Sequence, residues 1–166
     1  MKIVPIKQKD DTACGPTCIK MVADYFDVPI KLGEIEKISQ YIRKDGLTNK
    51  DLIDTLEYFG FVTKDKLNVT WGELCRANTK DKVIIISWMK KGYLGHFSIV
   101  DTITKEHIIL IDPDEGKPRK MEKVIFMRLW MGYDDIRGWY PVKNTDIQLR
   151  WMCIVTKKRT KKTRGE

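Results

Sequence analysis

Residues 8–26 read QKDDTACGPTCIKMVADYF, and they set a thiol, Cys14, at the edge of a helix. Thr12 or Asp11 is the expected cap, and Gly15-Pro16 falls in the first turn, where the missing proline N–H costs nothing. Downstream, Ile19, Met21, Val22, Ala23, Tyr25 and Phe26 make the helix apolar all round, which suits a buried central helix. Such a helix, opening into a cleft, aims unpaired backbone N–H groups and the positive end of its dipole at the Cys14 sulfur. Two readings compete: Cys14 is a small buried hydrophobe, or it is a nucleophile held as thiolate.

Working outward, the first half of the chain reads as helical. LGEIEKISQYI (32–42) spaces apolar residues at 32, 35, 38 and 42, a helical period. GLTNKDLIDTLEYFG (46–60) opens with Thr48 or Asn49 as cap and closes at Gly60. TWGELCRAN (70–78) carries Thr70 with Glu73 three residues on, a capping box. From residue 82 the pattern changes. KVIIISW (82–88) is a continuous β-branched run, as a central strand is. HFSIVDTI (96–103) and HIILIDP (107–113) follow as a hairpin. Strands are also expected at 139–142 and 149–157, while MEKVIFMRLWMG (121–132) is ambiguous, with helix slightly favoured. Helices first and an antiparallel sheet afterwards means α+β.

The hairpin supplies the chemistry that a thiol needs. There are two histidines, His96 and His107. A turn near Thr104–Lys105 makes paired residue numbers sum to about 208 or 209, which sets His96 beside residue 112 or 113, with Cβ atoms roughly 4.5–5.5 Å apart. Asp112 can then accept from one imidazole nitrogen, fix the tautomer and turn the other nitrogen toward Cys14. His107 lies near the turn and is expected to be exposed. Asp101, Asp114 and Glu115 read as surface or turn residues. Acyl chemistry also requires oxyanion donors; the Cys14 N–H is one, and the side-chain amide of Gln8 is available as a second.

Taken together, Gln8, the acidic spacer, Cys14-Gly15-Pro16 opening a helix, GHFSIVD and IIL-I-DP resemble the bacteriocin-processing, double-glycine-leader cysteine peptidase family. The resemblance covers roughly residues 3 to 115. It implies a papain-like fold, with the nucleophile helix of the N-terminal helical half packed on a C-terminal antiparallel sheet. It also implies Cys14 as nucleophile, His96 as general base and then acid, Asp112 as its orienter, Gln8 in the oxyanion hole, and cleavage after small residues such as Gly-Gly. Ala13 stands where that family usually has an acidic residue, with Asp10 and Asp11 displaced upstream. Many members form the first domain of a membrane exporter with an ATPase; neither is read here, so a stand-alone domain is expected.

Bulk properties bound the alternatives. The 166 residues suffice for one domain with a real core, and 42% hydrophobic with 33% charged residues is a soluble composition. No apolar run approaches the roughly 20 residues that span a bilayer, and MKIVPIKQKDD lacks a signal peptide's apolar stretch, so a cytoplasmic protein is expected. The cysteines at 14, 18, 75 and 153 are expected as free thiols, the last three as packing. The formal charge is +8. KKRTKKTRGE (157–166) holds six basic residues and one acid, +5 of the total. Residues 1–156 therefore read as the peptidase domain and 157–166 as a disordered basic tail able to make weak contact with nucleic acid or an anionic surface. CxxxC spacing (Cys14, Cys18) with one histidine is an incomplete zinc set, so neither metal nor organic cofactor is expected. Beside a peptide- or protein-cleaving enzyme stand two other functions: a papain-like acyltransferase, and a non-catalytic peptide- or nucleic-acid-binding module.

Overall fold

In the computed structural model, which describes residues 2–92, 94–133 and 141–158, helix α1 spans Cys14–Tyr25. Its start differs from the expected one. The N-cap is Ala13, and no side chain caps the helix directly. Asp10, rather than Asp11 or Thr12, organises the turn: its Oδ1 accepts from the Thr12 N–H at 3.1 Å and the Thr12 hydroxyl at 2.9 Å. Ala13 is nearly helical (φ −84°, ψ 8°), so the chain enters the helix through a turn that consumes Asp10 one step upstream.

Helices α2 (Leu32–Ser39) and α3 (Asn49–Tyr58) pack on α1. Helix α2 stops short of the periodic pattern because Gln40 takes a left-handed conformation (φ 53°). Thr48 caps α3, accepting from Asp51 N–H at 3.1 Å while Asp51 accepts from Thr48. Helix α4 (Trp71–Ala77) carries the capping box of Thr70 and Glu73. The ambiguous stretch resolves as helix α5 (Lys123–Leu129). No helix among the described residues is long and apolar enough to cross a membrane.

Among the described residues eight strands complete the α+β fold: β1 (Phe61–Lys66), β2 (Val83–Lys90), β3 (Leu94–Ile103), β4 (His107–Asp112), β5 (Lys117–Glu122), β6 (Met131–Tyr133), β7 (Ile147–Leu149) and β8 (Met152–Lys157). The main sheet is antiparallel in the order β1-β8-β2-β3-β4-β5, and β6 pairs with β7 separately. Expected strand 139–142 lies partly outside the described residues. Its end, Pro141-Val142, is not a strand, because the Val142 and Lys143 N–H groups turn onto the Asp146 carboxylate at 3.1 and 2.8 Å. Tail residues 159–166 lie outside the described residues.

Alternation along β2 divides the core in two. Val83 and Ile85 join Ile19, Val22, Leu52 and Leu56 from the α1–α3 side. Ile84, Ile86 and Trp88 join Leu74, Phe126 and Trp130 from the α4–α5 side. Burying each such aliphatic side chain contributes about 1.5–3 kcal/mol. Both faces of the central strands are therefore covered, and α1 is pressed against the sheet with its N-terminal residue, Cys14, facing the edge of the core.

Candidate active site

The β3–β4 hairpin does not use the expected register. Ile103 pairs with Ile108 and Thr102 with Ile109, then the ladder shifts at a bulge so that Val100 pairs with Leu110 and Ile99 with Ile111. The extra residue is Asp101, whose carbonyl accepts from Asn78 Nδ2 at 3.2 Å. Continuing this register puts Ser98, not His96, opposite Asp112. His96 lies two residues away on the same face, a diagonal neighbour within reach of a long side chain. Without the bulge, Asp112 would oppose Ile99 and project from the other face, because opposed residues share a face and faces alternate.

The diagonal is closed by a hydrogen bond: His96 Nε2 lies 2.7 Å from Asp112 Oδ1. His96 is 5% exposed and Asp112 fully buried. Trp88, opposite His96 in the β2–β3 ladder, meets the ring edge-on with centroids 5.7 Å apart. The Trp88 indole N–H donates to Ser98 Oγ at 3.0 Å, which fixes that wall. Burial alone would push the imidazole pKa down, but hydrogen bonds and charge from Asp112 and Cys14 outweigh it and hold it at about 9. Burial likewise works against the Asp112 carboxylate. His96, Arg119 and the Asp114 N–H prevail, lowering it to about 2. Both groups are therefore charged at neutral pH, with Asp112 engaging Nε2 and Cys14 acting on the same ring.

Cys14 and His96 line one cleft of about 560 Å³, together with Leu47, Asn49, Ser87 and Tyr133. Leu47 presses on the helix start closely enough that a Cβ at Gly15 would sit 2.8 Å from its Cδ1; a glycine follows the cysteine because the cleft wall occupies that space. Cys18 is fully buried, and burial with the nearby Cys14 and Asp112 raises its thiol well above the ordinary range. Cys153 is raised to about 12, chiefly by burial. Cys75 is exposed, and all four thiols are free. Among the described residues no cluster of three His, Cys, Asp or Glu side chains could hold a metal ion.

Gln8 is buried beside this group. Its backbone N–H donates to Pro113 O at 2.7 Å, and its side-chain Nε2 donates to Asp10 O at 2.7 Å. The contact with the β4–β5 turn requires Gly116: φ there is +64°, and a Cβ would lie 2.6 Å from Lys7 Cβ. His107, by contrast, sits at the hairpin tip, partly exposed, far along the strand from Asp112. Sequence reasoning overlooked Arg119, whose Nε donates to Asp112 Oδ2 at 2.6 Å. Asp114 and Glu115 lie in the β4–β5 turn, in keeping with their reading as surface or turn residues, and from there the Asp114 N–H donates to Asp112 Oδ1 at 3.0 Å and Glu115 holds Arg119. One cue was present, an arginine seven residues beyond Asp112 across a short turn.

A family model described as the peptidase C39 family matches residues 2–134. No curated protein matches the chain. Among solved structures, the chain is similar to the peptidase domain of Streptococcus ComA, described as a bi-functional ABC transporter involved in a quorum-sensing pathway. That match has 17% identity and a TM-score of 0.68, over 94% of this chain and 99% of that one. It is also similar to a double glycine motif protease from an AMS/PCAT transporter, in complex with the leader peptide, at 17% identity and TM-score 0.71, over 95% and 93%. The peptidase domain of Streptococcus mutans ComA matches at 19% identity and TM-score 0.62, over 92% and 98%. At such identities the likeness to these structures is one of fold.

Proposed function

The chain belongs to the peptidase C39 family, and from that premise we propose that this cysteine peptidase works through an acyl-enzyme on Cys14, cleaving after small residues such as Gly-Gly. The observation that carries this is the His96 ring, buried and bonded to the Asp112 carboxylate, at the wall of a cleft that Cys14 also lines. At neutral pH His96 rests as the imidazolium, the proton held on the ring beside Cys14. The sulfur attacks the scissile carbonyl carbon, and the oxyanion is met by the Cys14 N–H and Gln8. Gln8 Nε2 carries two N–H bonds, and the one not given to Asp10 is the donor. His96 passes its proton to the leaving amine. Neutral His96 then takes a proton from water, hydroxide adds to the thioester, and the thiolate departs with the carboxyl product released. Asp112 keeps one nitrogen occupied throughout, so the other faces the reacting atoms.

Support for the Gly-Gly preference comes from the similar double glycine motif protease that holds its leader peptide. The substrate is a peptide or protein segment lying in the cleft. Residues 1–156 act as the catalytic unit. The basic end, 157–166, makes salt-sensitive contact with nucleic acid or another anionic surface, and free thiols suit a cytoplasmic location. A peptide aldehyde or vinyl sulfone ending in Gly-Gly, followed by mass spectrometry, tests the reading. Modification confined to Cys14 is expected; modification of exposed Cys75 with Cys14 untouched overturns it.

A further inference from the structure

Arg119 stands on β5, an edge strand whose other charged side chains point to the ordinary purpose of keeping an edge soluble. Its geometry is different from theirs. Asp112 pairs with Lys117 across the β4–β5 ladder and Leu110 with Arg119, so Arg119 is the same-face diagonal neighbour of Asp112, mirroring His96 on the other side. Asp112 Oδ1 accepts from both His96 and the Asp114 N–H. Oδ2 accepts from Arg119 Nε at 2.6 Å, its one donor among the described residues. The far end of the guanidinium is held by Glu115, which also pairs with Lys117 at 3.1 Å. Resting on the reading above, we propose that Arg119 is a positioning residue for peptide cleavage, acting through Asp112 to hold the His96 ring toward Cys14.

The physical case is one of compensation and angle. A fully buried carboxylate with one oxygen undonated carries a large desolvation cost. Without Arg119 the group can relieve that cost by rotating Oδ2 toward His96 or the turn, or by taking up a proton. Either response loosens the Oδ1–Nε2 bond that sets the tautomer. With Arg119 present, both oxygens are satisfied and the carboxylate plane is fixed. The planar fork reaches Asp112 and Glu115 together, which a lysine ammonium does less well. Hydrogen-bond partners that orient metal-ligating side chains are worth about ten- to a hundredfold in activity, and an effect on that scale is expected for Arg119.

The test uses the full chain, a fluorogenic peptide ending in Gly-Gly and iodoacetamide. Arg119→Met keeps the apolar stem and removes the cation. It is expected to lower kcat about tenfold or more with KM unmoved, to slow alkylation of Cys14, and to abolish the low-field NMR resonance of the His96 Nε2 proton. With only two histidines in the chain, His107→Gln identifies that resonance. Arg119→Lys should restore part of both the rate and the resonance. If Arg119→Met melts normally and keeps the resonance and kcat within about twofold of wild type, the inference fails. Should that variant not fold, Arg119→Lys and Glu115→Gln are measured instead, and wild-type kcat and resonance in both overturn it. Cys14→Ala separates the two claims: persistent cleavage by that variant defeats the peptidase mechanism itself, whatever Arg119 does.

Discussion

The β3–β4 hairpin has a histidine at each end, and the two ends behave as different materials. At the open end, His96 is buried, bonded to Asp112 and wedged against Trp88. At the tip, His107 is partly exposed, opposite Glu122 in the ladder, with its backbone N–H held by Thr104 Oγ1 at 3.0 Å. Both rings have an acid nearby in the sheet. Only one has lost its water and its freedom to turn, and that loss makes the neighbouring carboxylate count. Residue type and proximity are shared between the two ends; enclosure and fixed orientation are not.

The sharpest break in this comparison comes from Cys14, the thiol that shares a cleft with the open end. Cys14→Ala should reduce peptide turnover by about a thousandfold or more with the thermal melt nearly unchanged, as followed by product chromatography and circular dichroism. Unfolding instead would return Cys14 to the core. The histidines come next. His96→Gln should cost on the order of a thousandfold, while His107→Gln stays within about twofold, because general acid–base work is worth roughly 10²–10⁴. Equal losses at both ends would erase the distinction. Asp112→Asn should cost about a hundredfold, less than loss of Cys14, because an amide can still hold the ring while presenting a weaker acceptor.

Acidity sharpens the contrast further. His96 is raised from 6.5 to about 9, so its protonated form is favoured by folding. Its contribution to stability is fully present below 6.5 and is lost as pH rises through about 9. Turnover should fall over the alkaline part of that window as the imidazolium is lost. Urea midpoints measured across it should decline in wild type and stay flatter in His96→Gln; parallel declines would remove His96 as the source. The smallest effect expected is at Gly116. Gly116→Ala forces a side chain into φ +64° and against Lys7, costing about 1–3 kcal/mol. Calorimetry would register that cost, and Gln8 would lose its seat on Pro113.

Much of this architecture could be read from the chain. Thr48 and Thr70 announced two helices through their caps, and the β-branched run 83–86 announced the central strand. The hairpin argument set Asp112 beside His96, and the two are joined by a hydrogen bond, though through a different register. A bulge leaves no mark in an alternating pattern, because its cost is settled by contacts such as Asn78 on the Asp101 carbonyl. Strands β1 and β5 were missed since FVTKDK and KPRKME are edge strands, where solvent rewards charge over alternation. Arg119 was invisible for the same reason. Gln8 could be nominated but not oriented, because its amide is set by a carbonyl two residues away.

The Asp101 bulge carries a lesson for how this hairpin can vary in length. Residues added or removed at the Thr104–Glu106 tip change only a solvent-facing loop if the arms keep their pairing. Between His96 and Val100, or from Ile109 to Asp112, a single insertion or deletion inverts which side of the sheet the ring or the carboxylate occupies. Two together restore the side but move the pair along the strand. Homologous chains that retain the chemistry should thus differ freely in tip length and keep the count of the arms, so that indel spectra across the family become a parity record of the site.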